Sequence, residues 1–389
     1  MIVPKLRFSE FKSEWQIEKL GDLVTIKSGY SPSKYDLKSF GEIPFLKVDE
    51  LNNCDKYQEK SRFYSDSNKD MISKDSVIFP KRGAAILNNK VRILKVPALL
   101  DSNLMALTFN PKQNPEFYYY LINKIELFKI ADTSTIPQIN NKHIEPYEVF
   151  TTTNEEQTKI AEFLSAVDDK ISQLSRQLEL LNQYKKGVMQ KIFSQEIRFK
   201  NDNGEDFGDW DEKELGEVGT TFSGGTPASK NKEYYQGNIP FIKSGEISAE
   251  FTEQFVNELA LKNSSAKLVN KGDLLYALYG ATSGQVAISK LAGAINQAVL
   301  CIRSNLSTYF LYSFLSYSKD EIISTYLQGG QGNLSAQILK KIIVPIPTIQ
   351  EQEKIAEFLT AIDERIDHTT TQLTHTKQWK KGLLQQMFV

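Results

Sequence analysis

This chain of 389 residues has very little of what most catalytic or metal-binding sites are built from. It has two cysteines, Cys54 and Cys301, far apart in different halves, so neither a disulfide framework nor a four-thiolate zinc site can be assembled. Three histidines leave little material for general acid–base work. There is no phosphate-binding P-loop, no G-x-G-x-x-G, no H-E-x-x-H and no Cys-x-x-Cys. No apolar run approaches the roughly 18 residues of a membrane span. The opening MIVPKLRFSEF lacks the apolar centre of a signal peptide. These absences point away from a membrane and toward a cytoplasmic location.

A surplus of basic charge is missing too. Net charge is −1. Residues 1–150 carry 22 Lys and Arg against 19 Asp and Glu, a net of +3; residues 196–346 carry 14 against 17, a net of −3. A nucleic-acid binder of this composition must cluster its basic residues on one face or borrow phosphate contacts from a partner.

What the chain does have is an internal repeat. The segment EQTKIAEFLSAVDDKI at Glu156–Ile171 recurs as EQEKIAEFLTAIDERI at Glu351–Ile366. The same offset of 195 places Lys185, Lys186 and Gly187 on Lys380, Lys381 and Gly382, and Trp15 on Trp210. Ser28-Gly29 falls on Ser223-Gly224. With a drift of one or two residues, Ile43–Lys47 matches Ile239–Lys243, Lys74–Phe79 matches Lys271–Tyr276, and Asn103 falls on Asn296. The chain is thus two copies of one unit, a domain followed by a long helix: residues 1–150, 151–195, 196–346 and 347–389. The helices are near-identical and the domains share only landmarks. A duplicated enzyme would be expected to keep its catalytic residues in both halves.

Apolar residues at Ile160, Leu164, Val167, Ile171, Leu174, Leu178, Leu181, Val188 and Ile192 repeat at alternating gaps of four and three, a heptad seam. The C-terminal copy places Ile355, Leu359, Ile362, Ile366, Leu373, Leu383 and Met387 on its seam, interrupted by Thr369 and Thr376, and Lys185 and Lys380 are equivalent seam positions. At 1.5 Å per residue the central helix is about 60 Å long, which suits a spacer. The simplest arrangement is antiparallel pairing of the two helices, with a globular domain at each end; the alternative is pairing with another subunit. Within the domains, strands are expected at Ile43–Leu51, Asp75–Pro80, Val91–Leu94, Leu104–Phe109 and Ile144–Phe150, a short helix or turn at Ile17–Leu23, and a helix over Phe117–Ile130. The second domain is expected to follow at Leu274–Leu278, Val286–Ile288, Ala298–Ile302, a helix over Tyr309–Tyr326, and Ile342–Ile346. The fold is α+β: two tandem α/β domains separated by two long helices forming an antiparallel coiled coil.

Asn114-Pro115-Glu116-Phe117 resembles the Asn-Pro-Pro-Phe/Tyr motif of amino-methyltransferases, but Glu replaces the second Pro and no glycine-rich cofactor loop precedes it. A helix cap is the better reading. Asp168-Asp169 reads as a solvated helix face. No catalytic and no metal-ligating residue is assigned.

Polar, glycine-bearing loops next to strands recur at matched positions. In the first domain they supply Lys27, Ser28, Tyr30, Lys34, Lys81 and Arg82. In the second they supply Ser223, Thr226, Lys243, Tyr279, Thr282, Ser283, Gln331 and Asn333. Lys, Arg, Ser and Thr contact phosphates; Arg reads guanine, and Asn or Gln reads adenine. Their glycines suit close backbone approach to a ligand.

These residues carry a family resemblance. VPKLRF…W…LG, the twice-occurring SG loop with IPF(L/I)K, YALYGATSGQVAI, NQAVL and VPIPTIQEQEKIAEFL resemble the specificity (S) subunit of type I restriction–modification systems over nearly the whole length. The first domain departs from the pattern, with KRGAAILNN where the second has YGATSGQVA. The resemblance implies a non-catalytic reader of double-stranded DNA, each domain a target-recognition domain for one half of a bipartite, asymmetric site. It implies that the helices set the gap and dock two methyltransferase (M) subunits through an exposed face including Lys159, Glu162, Lys170 and Arg176. It further implies no cofactor on this chain, S-adenosylmethionine in the M subunits, and ATP and Mg in two restriction (R) subunits. Competing readings are a self-contained modification enzyme, which the missing motifs oppose, and an assembly adaptor that does not touch DNA.

Overall fold

A computed structural model describes residues 2–326 and 333–389. The chain divides into two compact units, Met1–Ser175 with Thr371–Val389, and Arg176–Thr370. Each unit takes one domain, half of the central helix Asn154–Phe193 and half of the C-terminal helix Ile349–Met387.

In the first unit the ends of the domain are tied together. Gln16–Lys19 pairs antiparallel with Glu148–Thr151. The expected helix or turn at Ile17–Leu23 is therefore half strand, with a helical turn only over Leu20–Leu23; its strand partner lies at the far end of the domain, where local propensity cannot see it. A five-stranded sheet runs Val24–Ser28, Leu104–Phe109, Val77–Pro80, Arg92–Leu94, Tyr57–Gln58. A three-stranded sheet runs Tyr64–Ser65, Ile43–Leu46, Leu99–Leu100. The expected helix over Phe117–Ile130 is two helices, Pro115–Ile125 and Leu127–Ile130, broken at Glu126, whose φ is +71°. Asn114 caps the first by accepting from the Glu116 and Phe117 amides at 2.9 and 3.2 Å, so the Asn-Pro-Glu-Phe segment is a cap.

The second unit repeats the plan. Asp211–Glu214 pairs with Ile343–Ile346. One sheet runs Gly219–Ser223, Val299–Ser304, Leu274–Ala277, Val286–Ile288, and another Phe255–Val256, Ile239–Ile242, Gly293–Ile295, Lys267–Val269. The expected helix Tyr309–Tyr326 is again split, into Thr308–Tyr317 and Lys319–Tyr326. Asp75 and Gly272 both adopt positive φ, +66° and +95°, just before matched strands. Register corrects one expected equivalence. Phe45 pairs with Leu99 and Phe241 with Ala294, so Asp101, not Asn103, is the counterpart of Asn296.

In the first unit, Ile160, Leu164 and Val167 from the opening half of the central helix share one core with Leu383, Met387 and Phe388 from the end of the chain and with Trp15 and Phe117 of the domain. In the second, Met189 and Ile192 from the closing half of the central helix pack with Ile355, Leu359 and Ile362. Beginning meets end in both units, so the helices run antiparallel. Each fully buried seam side chain contributes about 1.5–3 kcal/mol.

The acid and amide that open each helix lock it to its domain. Glu156 is fully buried and receives Arg7 through Nε and Nη2, both at 2.7 Å, and the Trp15 indole at 3.3 Å. Glu351 receives Arg198 at 3.1 and 2.7 Å and Trp210 at 2.9 Å. Burial alone would raise the Glu156 carboxyl, but hydrogen bonds from Arg7, Thr152 and Trp15 outweigh it and hold the group below its ordinary value. Gln157 Oε1 accepts from the Asn114 amide at 2.8 Å, and Gln352 Oε1 from the Ser307 amide at 2.9 Å. Asp168 is not a solvated carboxylate either: it meets Lys380 at 2.5 Å and accepts from the Tyr120 hydroxyl at 2.7 Å.

Candidate nucleic-acid interface

In the first domain, Val24–Ser28 and Val77–Pro80 are both antiparallel to Leu104–Phe109, with Ser28 and Phe79 both opposite Met105. Both strands therefore run the same way, and the loops that follow them leave from one end of the sheet. That end carries Tyr30, Lys34, Lys81 and Arg82. In the second domain, Ser223 and Tyr276 both lie opposite Leu300. The loops bearing Thr226 and Tyr279 likewise share one sheet end.

The structure gives these residues unequal freedom. Lys27 is exposed on its strand and Ser28 is half-buried. Lys34 lies 3.3 Å over the Tyr30 ring and 2.6 Å from Asp70, whose hydrogen bond raises the amine above its usual range. Lys81 is partly buried; that burial, with Arg82 beside it, lowers its amine. Arg82 is exposed. In the second domain Ser223 and Thr226 are exposed, and the Thr226 hydroxyl donates to Gln297 Oε1. Lys243 caps a short 3-10 turn, its amide donating to Glu246. Ser283 is spent internally, its hydroxyl donating to the Leu278 carbonyl at 3.1 Å. Tyr279 and Thr282 are half-exposed, Asn333 is exposed, and Gln331 lies outside the described residues. Lys159, Glu162, Lys170 and Arg176 all lie on exposed helix surface; Lys159 approaches Glu10 at 3.9 Å and Arg176 pairs with Glu179 at 2.6 Å.

The SG glycines are required by the fold itself. A Cβ on Gly29 would meet the Leu100 and Asp101 carbonyls at 2.2 Å, and one on Gly224 the Ile295 carbonyl at 1.7 Å. The chain crosses from one sheet to the other here: the Tyr30 amide donates to Leu100 and the Gly225 amide to Ile295.

Sequence reasoning missed a second backbone element at the same sheet end. The Lys81 amide donates to Asn103, the Ile139 amide to Lys81 and the Gly83 amide to Pro137, at 2.8–2.9 Å. Arg82 and Gln138 thereby face one another in an antiparallel bridge, and Gln138 in turn faces Asp132. In the second domain the Leu278 amide donates to Ala298 and the Leu334 amide to Leu278. Gly83 and Gly280 close the turn at φ +79° and +87°. One main-chain framework thus presents Arg82 and Gln138 in one domain and Tyr279 and Asn333 in the other. The available signal was the spacing of Gln-Ile-Asn at 138–140 against Asn-Leu-Ser at 333–335, each set opening a short helix.

Among the described residues there is no group of three or more His, Cys, Asp or Glu placed to hold a metal ion. Burial pushes the Cys301 thiol up to about 12, where it is a poor nucleophile. Among the described residues no helix is long and apolar enough to cross a membrane.

The type I restriction modification DNA specificity domain family matches the chain twice, over residues 12–183 and 208–377. The putative type I restriction enzyme MjaX specificity subunit of Methanocaldococcus jannaschii is 26% identical over 409 aligned positions, spanning 98% of this chain and 94% of that one. The EcoR124I/EcoR124II specificity subunit of Escherichia coli is 26% identical over 163 positions, 39% of this chain and 40% of that one. Among solved structures, the type I S subunit from M. genitalium superposes with a TM-score of 0.65 at 18% identity, covering 100% of this chain and 99% of that chain. The two matched segments each comprise one recognition domain and most of the helix that follows it, and the chain belongs to the type I restriction–modification DNA specificity family.

Proposed function

We infer that this chain is the non-catalytic DNA-specificity subunit of a type I restriction–modification complex. Each domain reads one half of a bipartite target in double-stranded DNA. The observation that carries this is the repeated framework at the sheet ends, which holds its backbone alike and changes its exposed side chains from Arg82 and Gln138 to Tyr279 and Asn333. Base edges are told apart by side-chain donors and acceptors, so two readers on one scaffold need only differ there.

The helices set the gap between half-sites. Their exposed face, with Lys159, Glu162, Lys170 and Arg176, docks two methyltransferase subunits, and two restriction subunits complete the assembly. S-adenosylmethionine belongs to the methyltransferase subunits, and ATP and Mg to the restriction subunits; this chain holds no cofactor. Partner subunits supply phosphate contacts that a chain of net charge −1 does not supply in bulk. The location is cytoplasmic.

The test is exchange of residues 1–150 for the corresponding domain of another specificity subunit, followed by sequencing of the methylated motif. One half-site should change and the other remain. A motif changed in both halves, or in neither, overturns the reading.

A further inference from the structure

We propose that Arg82 and Gln138 are the paired base readers of the first domain, taking a guanine and an adenine at neighbouring base pairs through the major groove. This rests on the DNA-reading function inferred above and goes further by separating base readers from phosphate contacts.

The bridge between Arg82 and Gln138 is flanked by the Ile139-to-Lys81 and Gly83-to-Pro137 hydrogen bonds, so the two residues form a non-hydrogen-bonded antiparallel pair. In such a pair the Cα atoms are about 4.5 Å apart and the side chains leave on the same face. That separation is close to the rise of roughly 3.4 Å between base pairs. Arg82 is exposed and Gln138 half-exposed, and among the described residues neither side chain has a hydrogen-bond or ion-pair partner in the protein. The nearby cations are differently placed: Lys34 is paired with Asp70, and Lys81 is partly buried.

Side chain and backbone divide the work here. Main-chain bonds alone hold the pair in place, leaving the guanidinium fork free for guanine O6 and N7 and the amide free for adenine N6 and N7. On the other side of Gln138 stands Asp132. Its Oδ1 accepts from the Ser134 amide at 3.0 Å and hydroxyl at 2.7 Å, which holds the carboxyl below its ordinary value.

The experiment expresses the full chain with its methyltransferase subunit and sequences the methylated motif for the wild type, Arg82→Ala, Arg82→Lys and Gln138→Ala. The expected result is at least tenfold relaxed discrimination at one base pair for both Arg82 variants, since lysine keeps the charge and loses the fork. Gln138→Ala should relax the adjacent base pair of the same half-site, and the other half-site should stand. Weaker methylation at an unchanged motif would make these residues phosphate contacts and overturn the proposal. Relaxation at non-adjacent positions or in both half-sites would overturn it as well. Failure of the underlying reading is seen separately, as a wild-type motif that does not follow an exchange of residues 1–150. Thermal melting of each purified variant checks folding, and loss of fold in Arg82→Lys or Gln138→Ala would contradict the claim that the side chains are unengaged.

Discussion

Lys380 Nζ lies 2.5 Å from Asp168 Oδ1, and the residues 195 positions away on each helix, Lys185 and Asp363, meet at the same distance. Each aspartate also accepts from a tyrosine hydroxyl of its domain, Tyr120 or Tyr309. Burial and the adjoining carboxylate push both phenols well above their ordinary range. The lysines that interrupt the heptad seam are therefore satisfied across the helix pair, and a displaced register would separate each from its aspartate. Asp168→Asn should lower stability by about 1–2 kcal/mol. The double change Asp168→Asn with Lys380→Met should cost less in total than the two single changes added together. A double-mutant cycle on thermal or urea unfolding checks this; additive losses would mean the pair is not coupled.

Glu156 gives a pH prediction. Its folded-state value is lowered, so its stabilising contribution is complete above the unfolded carboxyl value of about 4.3 and is lost as pH falls through the lower folded value. Glu156→Gln should destabilise by about 2 kcal/mol at neutral pH, because Arg7 loses its carboxylate. The gap between wild type and variant should close as pH drops below about 4. Melting temperatures across pH 3–7 read both effects.

Gly224→Ala and Gly29→Ala should each cost about 3 kcal/mol, because the new methyl group meets a carbonyl that has nowhere to go. Gly83→Ala differs in kind. The space there is open, and the cost is the roughly 1–3 kcal/mol of forcing an alanine into a positive-φ, extended backbone that is essentially reserved for glycine. Denaturant unfolding separates the two classes. A mild effect at Gly224 would return the SG loop to consideration as a ligand-contacting element.

The spacer role predicts how the gap responds to length. Because the helices pair, an insertion in only one of them breaks the seam. Matched seven-residue insertions near Gln177 and Gln372 keep the heptads in phase and add about 10 Å, roughly three base-pair steps. The methylated motif should then show a longer gap with both half-sites intact. An unchanged gap would count against the spacer.

The duplication and the helix seam were legible because both are periodic, and periodicity survives without knowledge of distant partners. Glu156 shows where that stops. At a helix N-terminus an acid reads as an ordinary favourable charge, and only the fold brings Arg7 and Trp15 onto it. Ile17 sits in a strand for the same reason, since its partner Phe150 closes the far end of the domain. Asp168 read as solvated because the Lys380 that neutralises it is on the other helix. At the candidate interface the turn carrying Lys81 and Arg82 could be found from its glycine and charge. Gln138 left only its spacing against Asn333 in the repeat, because the main-chain bridge that brings it beside Arg82 leaves no mark in composition.

The Arg82–Gln138 bridge is held by amides and carbonyls that every residue other than proline possesses. Replacing either side chain therefore removes no contact that folding depends on. Readers built this way keep stability and target choice in separate parts of the molecule. The strands, the glycine turn and the buried helix locks can stay fixed while a few exposed side chains drift. A lineage of such chains could acquire new targets by single substitutions without first passing through an unstable intermediate.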